Sequence, residues 1–227
     1  MEISAINRKK IYQSVIEQFI KLIKDGKLKI GDKLPAERQL SEMFNVSRAS
    51  IREAFSAMEI IGLIDVRPGE GSFITDINIV PFINTIAPLF IRNENMKKEL
   101  LEFRMLLELE AVKLAAEKSD GTKKESIEEI LKLMDLSNKN NDANLGAEAD
   151  IMFHKEIFRL TDNYILIKAS ECVAHILESS VRFNRAKILE DSKNSRVLCS
   201  QHKLIYKAII SGESSIAQER MKEHLEF

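Results

Sequence analysis

Four residues in the second half of the chain have types and spacings suited to holding a divalent cation. Asp150 and His154 are four apart in Ala-Asp-Ile-Met-Phe-His, so a helix there presents a carboxylate and an imidazole on one face. His202 and His224 flank a break at Ser211-Gly212, 10 residues before and 12 after the glycine. At the helical rise they stand about 15 and 18 Å from that turn, which makes them level on an antiparallel pair. One carboxylate and three imidazoles suit a borderline metal, zinc first with nickel, manganese or iron as alternatives, and leave coordination positions for water or a ligand. The remaining histidine, His175, lies outside this spacing and reads as structural.

A second constellation lies near the amino terminus, in Ser47-Arg48-Ala49-Ser50-Ile51-Arg52. With Ile51 turned to a core, Arg48 and Arg52 share the opposite helix face. If this is the second helix of a helix-turn-helix, its first residues meet base edges in the major groove, where the planar arginine fork bonds to guanine or phosphate. Ser47 and Ser50 add short hydroxyls for phosphates, and Arg38 opens the preceding helix at the groove flank. Gly69 and Gly71 would let a wing backbone approach phosphate closely. Exposed arginines are common, so it is the whole arrangement, not any one arginine, that points to DNA.

The elements that must position these residues follow from apolar periodicity. A helix is expected over 8–25, with Ile11, Val15, Ile16, Phe19, Ile20 and Ile23 inward and Gly26 ending it. An extended loop leads to Pro35 and a short helix, 36–44. Asn45-Val46 turns, Ser47 caps, and Ile51, Ala54, Phe55, Met58 and Ile61 form the buried face of the next helix. Leu-Ile-Asp-Val-Arg and Ser-Phe-Ile-Thr around Pro68-Gly69-Glu70-Gly71 read as two strands, a β-wing. Beyond residue 78 all is helix, at roughly 80–92, 96–119, 123–139, 145–161, 163–187, 195–211 and 214–226. Thr122 with Glu125 reads as a capping box, and 138–144 as a polar break. The expected domains are 1–77, a winged helix-turn-helix, and 78–227, an all-α bundle.

Composition agrees with a mainly α fold. Of 227 residues 44% are hydrophobic and 30% charged, with only 8 Gly and 4 Pro, which excludes disordered and collagen-like chains and disfavours long β-architectures. The most apolar stretch, 77–91, is interrupted by Asn78, Pro81, Asn84, Thr85 and Pro88, so no membrane span is expected. No secretory signal is legible, and Cys172 and Cys199 are too few for a disulfide framework; both read as small buried residues in a cytoplasmic protein. Net charge is −1, and residues 1–76 hold 12 Lys+Arg against 11 Asp+Glu, so DNA binding must rest on local placement.

Residues 11–75 resemble the winged helix-turn-helix of GntR-type bacterial regulators. The motifs are Gly31-Asp32-Lys33-Leu34-Pro35-Ala36-Glu37-Arg38, Val46-Ser47-Arg48 with Ile51-Arg52-Glu53-Ala54, and Gly69-Glu70-Gly71-Ser72-Phe73. The resemblance assigns DNA contacts to Arg38, Ser47, Arg48, Ser50, Arg52 and Gly69, with Ala49 replacing a common hydroxyl or proline. Residues 80–227 are similar to the FCD effector domain of the FadR subfamily, through Leu100-Leu101-Glu102-Phe103-Arg104 with Glu108, Asp150 to His154, Asp162-Asn163, His202 and Met221-His224. That likeness implies a metal held by Asp150, His154, His202 and His224 inside the bundle, and a small carboxylate effector beside it that Arg104 meets. The function implied is a homodimeric, ligand-responsive repressor on a palindromic operator and not an enzyme. A metal sensor with the ion itself as effector, and a metalloenzyme, remain the alternatives.

Overall fold

The computed structural model describes residues 10–76, 78, 80–90, 94–119, 124–189 and 191–227. Contacts group the chain into two compact units, one ending at Thr85 and one beginning at Ile86.

In the first unit, α1 (Ile11–Lys24), α2 (Glu37–Phe44) and α3 (Arg48–Ile60) precede strands β1 (Ile64–Arg67) and β2 (Gly71–Ile74). Phe19 of α1 is fully buried and meets Phe44 and Phe55 edge-on, at ring-centre distances of 5.6 and 6.2 Å. With Val15, Leu40, Ile51, Ala54 and Met58 it forms the core on which α3 rests. Apart from Ala54, each of these side chains contributes about 1.5–3 kcal/mol by burial. Two residues of the expected inner faces are exposed instead. Ile11, the first residue of α1, is 55% exposed, and Ile61, 43% exposed, lies past the end of α3 where the chain turns outward. Arg8, the expected start of α1, lies outside the described residues.

The turn between α2 and α3 is set by Asn45, left-handed at φ 52°. The wing is antiparallel, pairing Ile64 with Ile74 and Arg67 with Gly71. Part of the expected loop 26–35 joins it, since Lys33 bridges to Phe73 and Leu34 N–H donates to the Ser72 carbonyl at 2.8 Å. At Gly62 (φ +65°) an added Cβ would lie 1.6 Å from the Asn78 carbonyl oxygen, so only glycine fits.

Helix α4 (Val80–Phe90) follows, and the second unit contains α5 (Glu94–Glu117), α6 (Lys124–Asn140), α7 (Ala143–Leu160), α8 (Tyr164–Leu189), α9 (Ser192–Ile210) and α10 (Ser214–Leu225). Thr122, of the expected capping box, lies outside the described residues. The expected polar break 138–144 shrinks to two residues. Helix α6 runs to Asn140, Asn141 takes a left-handed φ of 53°, and the Asp142 carboxylate caps α7 by accepting from the N–H groups of Asn144 and Leu145. Helix α7 packs on α5, α6 and α8, and buries Ala147, Ala149, Asp150, Phe153, His154, Glu156 and Ile157. Helices α9 and α10 form an antiparallel pair across Ser211-Gly212, packed on α6 and α5 respectively. Among the described residues no helix is long and apolar enough to cross a membrane.

Candidate metal centre and nucleic-acid face

Ser47 is the N-cap of α3, its Oγ accepting from the Ser50 N–H at 3.1 Å and lying 3.0 Å from the Ser50 hydroxyl. It therefore sets where α3 starts and where Arg48, its exposed first residue, stands. Arg52, one turn on, is also exposed, and its Nε–H donates to Glu37 Oε2 at 3.0 Å. That bond ties the second turn of α3 to the first turn of α2, which carries the exposed Arg38. Gly69 lies in the exposed wing turn at φ +78° with open space where a Cβ would be, so its glycine answers to backbone conformation.

In the second unit, α7, α9 and α10 bring Asp150, His154, His202 and His224 together, all buried, each offering a ligand atom within 4.8 Å of the others. His154 Nε2 is 3.2 Å from His224 Nε2, and His202 Nε2 is 3.2 Å from Asp150 Oδ1. Asp150 also approaches the Nε2 atoms of His154 and His224, at 3.9 Å each. The rings of His202 and His224, from opposite arms of the α9–α10 pair, stand level, with centres 4.3 Å apart.

The outer nitrogens explain the orientation of the rings. Nδ1 of His154 meets Glu108 Oε2, Nδ1 of His202 lies 2.8 Å from the Leu198 carbonyl, and Nδ1 of His224 lies 3.1 Å from Gln201 Oε1. Each Nδ1 faces an oxygen, so placing its proton there leaves every Nε2 as a lone pair aimed inward. Two such lone pairs 3.2 Å apart beside a carboxylate repel one another unless a cation lies among them. Bonds of about 2.0–2.2 Å to one ion hold donor atoms roughly 3–4 Å apart, which matches this set. Phe153 packs edge-on against His202 at 4.6 Å and walls the cluster with hydrocarbon.

Glu108 was not among the ligand residues expected from spacing, yet it links the cluster to Arg104. Its other oxygen accepts from Arg104 Nε at 2.6 Å. Burial pushes the Glu108 carboxyl up, but the charges and hydrogen bonds of His154 and Arg104 outweigh it and hold it at about 2. The signal in the sequence was the Arg104–Glu108 spacing of four on one helix; what hid the role was that His154 comes from another. Arg104, Glu108 and His154 line a pocket that is partly open to solvent, with Leu107, Phe158 and Leu177 among its apolar walls. His175, read as structural, lines the same pocket. Cys199 is buried as expected, whereas Cys172 is half-buried on α8; both are free thiols.

Residues 11–74 match the model of bacterial regulatory proteins of the gntR family, and residues 99–227 that of the FCD domain. The chain is 34% identical over 206 residues to the HTH-type transcriptional regulator LutR of Bacillus subtilis (strain 168), covering 90% of this chain and 93% of that one. It is 28% identical to the Glc operon transcriptional activator of Escherichia coli (strain K12), covering 96% and 87%. Among solved structures, Streptococcus agalactiae GntR superposes with a TM-score of 0.73 at 22% identity, covering 95% of this chain and 97% of that one, a likeness of fold.

Proposed function

Because the chain belongs to the gntR family of bacterial regulatory proteins and carries an FCD domain, we propose that this DNA-binding transcription regulator is a homodimeric repressor. In this reading it holds a palindromic operator and is switched by a small organic acid bound beside a divalent metal ion. Both families and the named relatives are regulators, so the chain is a regulator and not an enzyme.

The observation that carries the effector part is the convergence of Asp150, His154, His202 and His224, whose Nε2 atoms and carboxylate face one point while their outer atoms are held by protein oxygens. These four residues would hold the ion, zinc by first choice with nickel, manganese or iron as alternatives. When bound, the ion supplies a Lewis-acidic centre with positions that an organic carboxylate can occupy. Arg104, held through Nε by Glu108 at the edge of the adjoining pocket, is the proposed partner of the effector carboxylate. Because the four ligands come from three helices, loading the site links α7, α9 and α10. Regulation follows only if the loaded state favours one dimer arrangement, since equal affinity for both shifts nothing.

On the DNA side, Arg48 and Arg52 are assigned to base edges, Arg38 with the Ser47 and Ser50 segment to phosphates, and Gly69 to close approach of the wing. Two free thiols and a DNA partner fit the cytoplasm. Selection of duplexes from a random-sequence library, before and after adding zinc with a panel of small organic acids, tests the reading, alongside elemental analysis of protein purified without added metal. Expected are a palindromic consensus, a sedimenting dimer, close to one ion per chain, and release by acid only when metal is present. Release by metal alone would make the ion the effector, and less than about a tenth of an equivalent with no uptake of added zinc, nickel or manganese would end the metal reading. The Glc operon relative is by name an activator, so a reporter in a deletion strain decides direction: expression that falls on deletion refutes repression.

A further inference from the structure

Glu37 and Arg52 are 15 residues apart and join the two helices of the helix-turn-helix through one bond, Arg52 Nε–H to Glu37 Oε2 at 3.0 Å. Arginine can read a base through either of two forks, side-on with Nε and one terminal nitrogen, or end-on with the two terminal nitrogens. Occupying Nε closes the side-on fork and favours the end-on one. The Arg52 side chain is 67% exposed and that of Glu37 33%, so the pair contributes little to folding. It does restrict a long side chain that would otherwise sample many rotamers on the proposed reading face. Glu37 also places a negative charge where a polyanion must approach, which weakens binding to DNA of any sequence.

We propose that Glu37 is a positioning residue for sequence readout: it aims the end-on fork of Arg52 at a base pair and gives up some sequence-independent affinity in exchange. The inference rests on the reading of α3 as the recognition helix. Two variants separate its two effects. Glu37→Ala removes both charge and acceptor, whereas Glu37→Gln removes the charge and keeps an acceptor for Arg52 Nε.

The experiment selects binding sites for full-length wild type, E37A, E37Q and R52A from a random-sequence duplex library. Each protein is then titrated against the wild-type consensus and a scrambled duplex across a salt series, with circular dichroism to confirm folding. E37A and E37Q should both bind the scrambled duplex more tightly than wild type, by roughly 2- to 10-fold at low salt. Discrimination at the base pair read by Arg52 should fall roughly 10-fold in E37A, as in R52A, and be largely retained in E37Q. A merely structural pair would not raise scrambled-duplex affinity while lowering selectivity. E37A with the wild-type preference at every position overturns the inference and leaves the recognition helix standing, as does an R52A variant that selects the wild-type consensus. A wild type that selects no sequence overturns the recognition-helix reading and this inference with it.

Discussion

Replacing Glu108 with alanine should damage both the fold of the helical unit and its affinity for metal, by amounts that can be measured apart. The carboxylate is 3% exposed and joins Arg104 Nε, at 2.6 Å, to His154 Nδ1. Removing it leaves a largely buried guanidinium and an imidazole N–H facing a void. Breaking a buried ion pair from one side costs about 3–5 kcal/mol, and because Arg104 retains 17% exposure beside a partly open pocket, the lower end, about 3 kcal/mol, is expected. Glu108→Gln keeps the volume and an acceptor, so the loss should be about 1–3 kcal/mol. The same carboxylate orients the His154 ring, and loss of such an outer partner lowers metal affinity about 10–100-fold, or about 1.4–2.7 kcal/mol. Urea unfolding in chelator reads the first effect, and zinc competition against a chromophoric chelator reads the second. An alanine variant whose chelator-treated stability lies within about 0.5 kcal/mol of wild type, with unchanged zinc affinity, would refute the reasoning.

Other consequences can be checked more briefly. A chelator should lower the melting temperature of wild type, since a ligand at one hundred times its Kd stabilises by about 2.7 kcal/mol, and His202→Ala should abolish the difference in differential scanning calorimetry. Gly62→Ala should destabilise the winged unit by about 1–3 kcal/mol or more from its φ alone, with a clash against the Asn78 carbonyl added; an unchanged melting transition would count against the close approach. Burial, with the hydrogen bond to Asp135, pushes the Cys199 thiol up from 9.0 to about 11. At pH 8 its thiolate fraction then falls from about 10⁻¹ to about 10⁻³, so alkylation, followed by mass spectrometry, should be at least about 100-fold slower in folded than in urea-unfolded protein. Arg48→Ala should weaken binding to the selected consensus by about 1–3 kcal/mol while leaving helical content unchanged, as gel shifts and circular dichroism will show.

Much of this protein was legible because its local signals are strong and agree with one another. Ser47, Asn45 and the 3.6-residue repeat of Ile51, Ala54, Phe55 and Met58 mark the turn and second helix without reference to distant residues, and the structure has them where the pattern puts them. Asp150 and His154 share a helix face by arithmetic alone, and Gly212 makes His202 and His224 level because an antiparallel pair must fold at that glycine. Helix ends were less legible. Ile61 is apolar and in phase, but its exposure depends on where the chain leaves the helix, and the Asn-rich segment stayed helical to Asn140 because Asn141 and Asp142 alone make the turn.

What only tertiary structure decided are the relations between residues far apart in the chain. Periodicity tells which face of a helix is apolar but not which helix covers it, so nothing local announced that Glu108 of α5 meets His154 of α7, or that Glu37 holds Arg52. Nor could spacing say that His175, out of phase with the candidate ligands, would line the pocket beside Arg104. The sequence by itself determined the types of element, which of the candidate residues share a helix face, and the family. Packing determined the partners, because a side chain's charge, proton and orientation depend on neighbours that the fold brings from elsewhere.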